Sequence, residues 1–368
     1  MISYNVGCNF DDRLLEGVSS LNCERRDARI TEFYGAIRDH AWLSARPAYR
    51  LPQITLQELG AFISRAREAG LGFNYSLNTI YPGTKRELAA KMGAARDVVK
   101  AVVDIGVSRI TVATPLAAGI VRSVSSAVGL EVSTIAHIDT ITQIKIWRDH
   151  YGITSVCGSL LKNRSIAFLE RAAGYCLRNG IRYEVMANEF CGTGTMEDGS
   201  AATHCIYRDS CYLGHAANET LEDDLLLDRY PMERCMRSRR TPAVWLKTHF
   251  IRPEDVIKYR AIGIDTFKLT GRTGSTQYLL MVAQAYMRQQ WHGNLLGLWK
   301  SLETIGSGDR QEGFQPSCYI NNGDLDGFVD RWFDDPRHEC ANEVCGETCC
   351  YCDNFAQKLQ GKPPVPRE

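Results

Sequence analysis

The chain has 368 residues, with 43 basic and 43 acidic side chains, so its formal net charge is zero. Hydrophobic residues make up 44% and charged residues 23%, which is ordinary globular usage and excludes intrinsic disorder, a collagen-like repeat and a coiled coil. A balanced charge also argues against a protein built to grip phosphate backbones, so nucleic acid is not an expected partner.

In chain order, short β-branched or aromatic runs alternate with longer amphipathic ones. Strands are predicted at Ser3–Val6, Ile30–Tyr34, Gly72–Leu77, Arg109–Ala113, Glu131–Ala136, Ile153–Cys157, Tyr183–Ala187 and Thr266–Leu269. Apolar residues at three- and four-residue spacing predict helices over Leu56–Ala69, Lys85–Ile105, Leu116–Ala127, Thr140–His150, Arg164–Asn179 and Thr276–Gln289. Gly70, Gly106, Gly152, Gly180 and Gly263 stand where a helix would stop before the next strand. About eight βα units in series is the count of a TIM-like (β/α)8 barrel, with a doubly wound sheet as the alternative. The barrel is expected over residues 1–290 and a cysteine-rich extension over 291–368. The N-terminus lacks a basic stretch followed by an apolar one, and no run of about 18 apolar residues occurs, so the chain reads as cytoplasmic with no membrane partner.

One unit breaks the rhythm. Residues 188–251, after the seventh predicted strand, carry Gly, Asn, Asp, Ser and four cysteines in place of a strand pattern. In a barrel this insertion lies at the C-terminal face, where such enzymes place their chemistry. Cys191, Cys205, Cys211 and Cys235 are separated by 13, 5 and 23 residues, with no CxxC pair. Four thiolates on a loop can hold an iron–sulfur cluster or a zinc ion, and spread ligands suit the larger group better; unliganded structural cysteines are the alternative. Cys8, Cys23, Cys157 and Cys176 stand alone and read as structural.

The NEFC frame ending at Cys191, the CIYRDSC run from Cys205, the FNYSLN run at Phe73–Asn78 and the segment Phe250–Thr273 together resemble the U32 peptidase-like proteins, which include iron–sulfur proteins of the UbiU/UbiV type. The resemblance covers roughly residues 2–280. It implies a TIM-like barrel and a [4Fe-4S] cluster held by cysteines of the insertion, with Cys191, Cys205 and Cys235 as the best-matched ligands. Cys211 stands where relatives often have histidine. The resemblance further implies oxygen-independent hydroxylation, with prephenate as an oxygen source in some members. No GxSxG elbow, HExxH motif or evident nucleophile–base pair supports peptidase chemistry.

A second constellation closes the chain. Cys345, Cys349 and Cys352 spell CxxxCxxC, which resembles the radical SAM motif, yet only 16 residues follow Cys352, and the radical SAM barrel is built after its motif. The favoured reading is a four-thiolate site of Cys340, Cys345, Cys349 and Cys352 for a second [4Fe-4S] cluster or for zinc, with Cys318 able to replace one ligand. A cysteine-rich tail without metal is the alternative.

In a barrel, polar residues at the C-terminal strand ends face one pocket. These are Asn5, Glu32, Asn74, Asn78, Thr114, His137, Asn188, Glu189, Lys268, Thr270 and Arg272. His137 is the candidate for proton transfer, against a role as a core histidine. Glu189, two residues before Cys191, is placed to bond a substrate beside a cluster. Lys268, Arg272 and Arg252, joined by Arg46, are candidates to hold a carboxylate, the rival role being ion pairs with acids such as Asp255 or Asp265. The expected catalytic set is thus His137, Glu189, Lys268 and Arg272, with Asn74, Asn78, Asn188 and Arg252 for substrate binding. The sequence points to an iron–sulfur oxidoreductase or hydroxylase acting on a small anionic metabolite or a peptide. The alternatives are a metal-dependent peptidase, a non-catalytic iron–sulfur subunit of a hetero-complex and, least favoured, a radical SAM-type enzyme. Hetero- and homo-oligomers both stay open.

Overall fold

The structure is a computed structural model and describes residues 1–80, 83–189, 193–195, 201–203, 241–272, 274–299 and 318–360. Eight parallel strands close into a barrel: β1 (Ile2–Gly7), β2 (Ala28–Gly35), β3 (Gly72–Leu77), β4 (Arg109–Val112), β5 (Gly129–Val132), β6 (Ser155–Cys157), β7 (Arg182–Met186) and β10 (Thr266–Leu269). β10 returns to pair with β1, Lys268 lying opposite Asn5, and the ring has no free edge. A small antiparallel hairpin, β8 (Thr193–Thr195) and β9 (Ala201–Thr203), rises from the insertion.

The helices follow from local chemistry. Helices α2 (Leu56–Glu68), α3 (Lys85–Asp104) and α5 (Ile141–Tyr151) each open on a capping box, Thr55 with Glu58, Thr84 with Glu87, and Thr140 with Gln143. The five helix-stopping glycines all take positive φ, as the sequence predicts. Helix α1 (Asp12–Glu24) was not anticipated. Its N-cap Asp11 and its buried Leu14, Leu15, Val18 and Leu21 are the signal that carries it. Two predicted elements end three or more residues early. Helix α4 (Pro115–Val124) stops three residues early, where the Arg122 guanidinium gathers the carbonyls of Ser125, Val128, Tyr151 and Gly152. The strand expected over Glu131–Ala136 ends at Val132, because Ser133 caps a 3-10 turn over Thr134–Ala136.

Residues 318–360 fold back on the barrel and share its hydrophobic core. Phe328 stacks on Phe250, and Trp332, Tyr351 and Phe355 close an aromatic cluster around it. Among the described residues no helix is long and apolar enough to cross a membrane.

Candidate active site

The barrel interior is polar, and its organisation sets up the site. Lys268 on β10 donates from Nζ to Glu131 on β5 at 2.7 Å and to Glu184 on β7 at 3.0 Å. Arg182 reaches Glu32 on β2 at 2.7 Å and Glu131 at 3.5 Å. Thr111 Oγ1 lies within hydrogen-bond distance of Glu131 and of Asn74 Oδ1, and Asn5 donates to Glu184. Apart from the half-buried Arg182, these charges are buried, where an unpaired ion costs several kcal/mol. Burial resists the ionisation of Glu131, but Lys268, Arg182 and Arg109 more than offset it and hold its carboxyl well below the usual range. Burial and the neighbouring Glu131 push the Glu184 carboxyl up in spite of Lys268. Lys268 is also buried, yet Glu131 and Glu184 raise its ammonium well above normal. One lysine thus serves two carboxylates, of which Glu131 keeps the negative charge most strongly.

Above this layer opens a cavity at the C-terminal mouth. Its wall includes Tyr34, Arg46, Asn78, Glu189, Lys268 and Arg272. Arg272 is only 9% exposed, yet its guanidinium makes no hydrogen bond or ion pair among the described residues. Burial, with Arg46 as a second cation nearby, pulls its pKa down to about 10. The backbone fixes its position. Gly271 takes φ +117°, and a Cβ on Gly7 would stand 2.7 Å from Arg272 Cα, so the two chains touch there. The Lys268 ammonium lies 4.7 Å from the centre of the Tyr34 ring. A cavity with two cations unpaired among the described residues above a charge-compensated floor is suited to a small carboxylate, with arginine offering two parallel donors.

Other predicted site residues have different work. Arg252 does not face the cavity. It is 2% exposed and clamps Asp255 with two bonds of 2.8 and 3.0 Å, while reaching the Asn322 carbonyl at 2.8 Å and Asp326 at 3.2 Å. The expectation that it binds substrate is corrected to a structural ion pair that ties residues 322–326 to the barrel. Asn188 is likewise committed: its Oδ1 accepts from the Thr270 amide at 2.6 Å and its Nδ2 donates to Leu298 O at 3.0 Å. Asn74 lies in the polar interior, where its Oδ1 meets Thr111. Asn78 does line the cavity, and there it bridges the Ala45 amide and Ser133 Oγ. His137 is not among the residues lining the cavity, because the early end of β5 leaves it half-buried in a left-handed cap at φ 50°. Thr114 caps α4.

Cys191, Cys205, Cys211 and Cys235 lie outside the described residues. The place where the insertion is rooted does not. The Ile251 amide donates to Ala187 O at 2.9 Å, so the excursion leaves and returns at one point on the rim, and Glu189 at its start lines the cavity. Cys340, Cys345, Cys349 and Cys352 all line a separate small cavity, together with Lys247, Trp332 and Glu343. No three ligand side chains among the described residues converge as the ligands of a single metal ion do. Cys8, Cys157 and Cys176 are buried, as structural cysteines should be, whereas Cys23 is exposed. Sequence reasoning missed Glu131, Glu184 and Arg182. Their signal was a charge at alternate positions in otherwise apolar strands (LEV, RYEVM), which places it inside a barrel.

No family model matches the chain. An uncharacterised protease of Methanocaldococcus jannaschii is 23% identical over 261 residues, which cover 69% of this chain and 67% of that protein. Among solved structures, a U32 peptidase is similar over 74% of this chain and 93% of its own, at 13% identity and a TM-score of 0.45. An aldolase of the HpcH/HpaI type from Desulfitobacterium hafniense is similar over 62% of this chain and 93% of its own, at 10% identity and a TM-score of 0.32. The U32 peptidase-like family stands as what the chain resembles, on the NEFC frame and the Phe250–Thr273 segment.

Proposed function

We propose that the chain is an iron–sulfur enzyme that binds a small anionic substrate in the barrel mouth, for oxygen-independent hydroxylation or a related redox modification. The observation that carries this reading is Arg272, a buried guanidinium beside Arg46 that opens into the cavity with no acid paired to it among the described residues. A carboxylate there would relieve the repulsion between the two cations. Lys268 is occupied by Glu131 and Glu184, so its part is to hold the floor of the cavity rather than to bind substrate. Glu189 brings a carboxylate to the same wall, two residues before Cys191.

The four thiols of the insertion, Cys191, Cys205, Cys211 and Cys235, are the donor set for a [4Fe-4S] cluster, and their root beside the cavity favours a cluster near the substrate. When bound, it would supply electron transfer or, with one iron free of thiolate, an open Lewis-acid position. Peptide hydrolysis has less support. The described residues lining the cavity include no histidine, and burial with Glu184 nearby pushes the Cys157 thiol's pKa up. The test is anaerobic purification of the full chain, followed by iron and sulfide analysis and titration with prephenate and simple dicarboxylates. Cys191→Ala is expected to remove about four irons per chain, and the unaltered protein to bind the carboxylates. Full iron in Cys191→Ala, together with peptide cleavage that needs no reductant, would overturn the reading.

A further inference from the structure

Against two wall residues of the C-terminal cavity, Trp332 and Cys352, lies a buried cation that the barrel mouth does not explain. Arg164, just ahead of helix α6 (Ile166–Arg178), is 1% exposed and has no carboxylate partner among the described residues. Its Nη2 donates to Leu246 O at 2.8 Å, its Nη1 lies 3.9 Å from Cys352 Sγ, and its Nε has no partner among the described residues. The guanidinium carbon sits 4.4 Å from the centre of the Trp332 ring and 5.1 Å from that of Phe328. Ring faces compensate part of a buried cation, but a full charge in such surroundings calls for an anion. The carboxylate on the cavity wall, Glu343, is turned elsewhere, to Thr348 Oγ1 at 2.6 Å and His338 Nδ1 at 3.7 Å. Lys247 on the same wall pairs with Asp353 at 2.8 Å. What faces Arg164 is sulfur.

We propose that Cys340, Cys345, Cys349 and Cys352 hold an iron–sulfur cluster of the [4Fe-4S] type, whose negative charge is balanced by the buried Arg164. Four thiolates around a cubane with two positive charges leave about two negative charges, next to a cation without a carboxylate partner among the described residues. A zinc ion held by four thiolates would carry the same charge, so iron, sulfide and zinc content tells the two apart. The tight Val344–Cys349 loop presents two of the thiols: the Cys349 amide donates to Val344 O and the Gly346 amide to Cys349 O. The site has a second consequence. Arg164 donates to Leu246 O, at the end of the helix Pro242–Leu246, and Cys352 Sγ lies 3.6 Å from the same oxygen, so a centre here pins the returning limb of the insertion to the C-terminal helix Tyr351–Gln360.

The experiment counts iron, sulfide and zinc in the full chain purified without oxygen, as the unaltered protein, as Cys345→Ser/Cys349→Ser and as Cys191→Ala. The double variant is expected to lose about four irons and four sulfides. The Cys191→Ala protein, whose C-terminal residues are untouched, is expected to keep that same amount, which guards against a double variant that fails to fold. Wild-type iron in a folded double variant, no iron in Cys191→Ala, or the loss of a single zinc would each overturn the proposal. Iron that survives Cys191→Ala in full but vanishes in the double variant would leave this site standing and remove the cluster from the insertion. Arg164→Gln is expected to lower the midpoint potential of the C-terminal cluster or its iron content, with Arg164→Lys closer to wild type. A Gln variant with unchanged potential and iron would refute the charge-balancing role.

Discussion

Lys268→Met is expected to destabilise the protein by about 3–5 kcal/mol at neutral pH, the cost of leaving a buried charge without its partner. The effect is large because one ammonium serves two carboxylates that are themselves fully buried, Glu131 at 2.7 Å and Glu184 at 3.0 Å. The cost should depend on pH in a definite direction. In the wild type, the Glu131 carboxyl is held below its unfolded value of about 4.3, so it contributes stability above that pH and loses it as the pH falls. Without Lys268, burial dominates, and both carboxyls rise above the unfolded value. Each then contributes stability that is present at low pH and lost as the pH rises. The gap between variant and wild type should therefore narrow steadily from pH 7 toward pH 4. Denaturant melts across that range measure it, and a gap of constant size would show that the three side chains do not share one electrostatic unit. Lys268→Arg keeps the charge, but its planar fork cannot reproduce both contacts, so an intermediate loss is expected.

This buried triad also marks the limit of what could be read from the sequence. Strand positions were legible because they combine β-branched or aromatic residues with, in five of the eight, a glycine stop just ahead; Gly72–Leu77 and Thr266–Leu269 come out residue for residue. The insertion was legible as a break in that rhythm. The role of a polar residue at a strand end was not, because the sequence shows that a side chain is polar but not which partner waits across the barrel. Arg252 and Arg272 illustrate the point. Both follow the same stretch of chain and both are buried arginines, yet one finds Asp255 three residues away and the other finds only Arg46 and the open cavity. His137 failed for a local reason: a serine one residue past β5 captures the Ile135 amide and turns the chain before the histidine is reached. Arg164 carried no sequence signal, since its meaning depends on Trp332, Phe328 and Cys352, all more than a hundred residues away.

Arg272→Met should separate binding from stability in a way few substitutions do. A buried cation beside a second cation, without an acid paired to it among the described residues, is a cost to the ligand-free fold, which is why its pKa falls to about 10. Replacing it with a neutral side chain of similar length should leave the melting temperature of the ligand-free protein unchanged or raise it. The same change should remove the two-pronged donor that fixes a carboxylate, at a loss of roughly 2–5 kcal/mol, or about thirty- to several-thousand-fold in affinity. In the wild type a dicarboxylate at about a hundred times its dissociation constant should stabilise the fold by about 2.7 kcal/mol, and Arg272→Met should lose that response. Arg46→Met should have a smaller effect, because Arg46 is half-buried and water already screens part of its charge. Calorimetric titration and thermal melts with and without ligand read both quantities on the same samples. A variant that melts lower and binds dicarboxylates as the wild type does would make Arg272 a packing residue and take the anionic substrate with it. The opposite pair of results would mark a site that keeps its strain until the substrate arrives, where activity is held at the expense of stability.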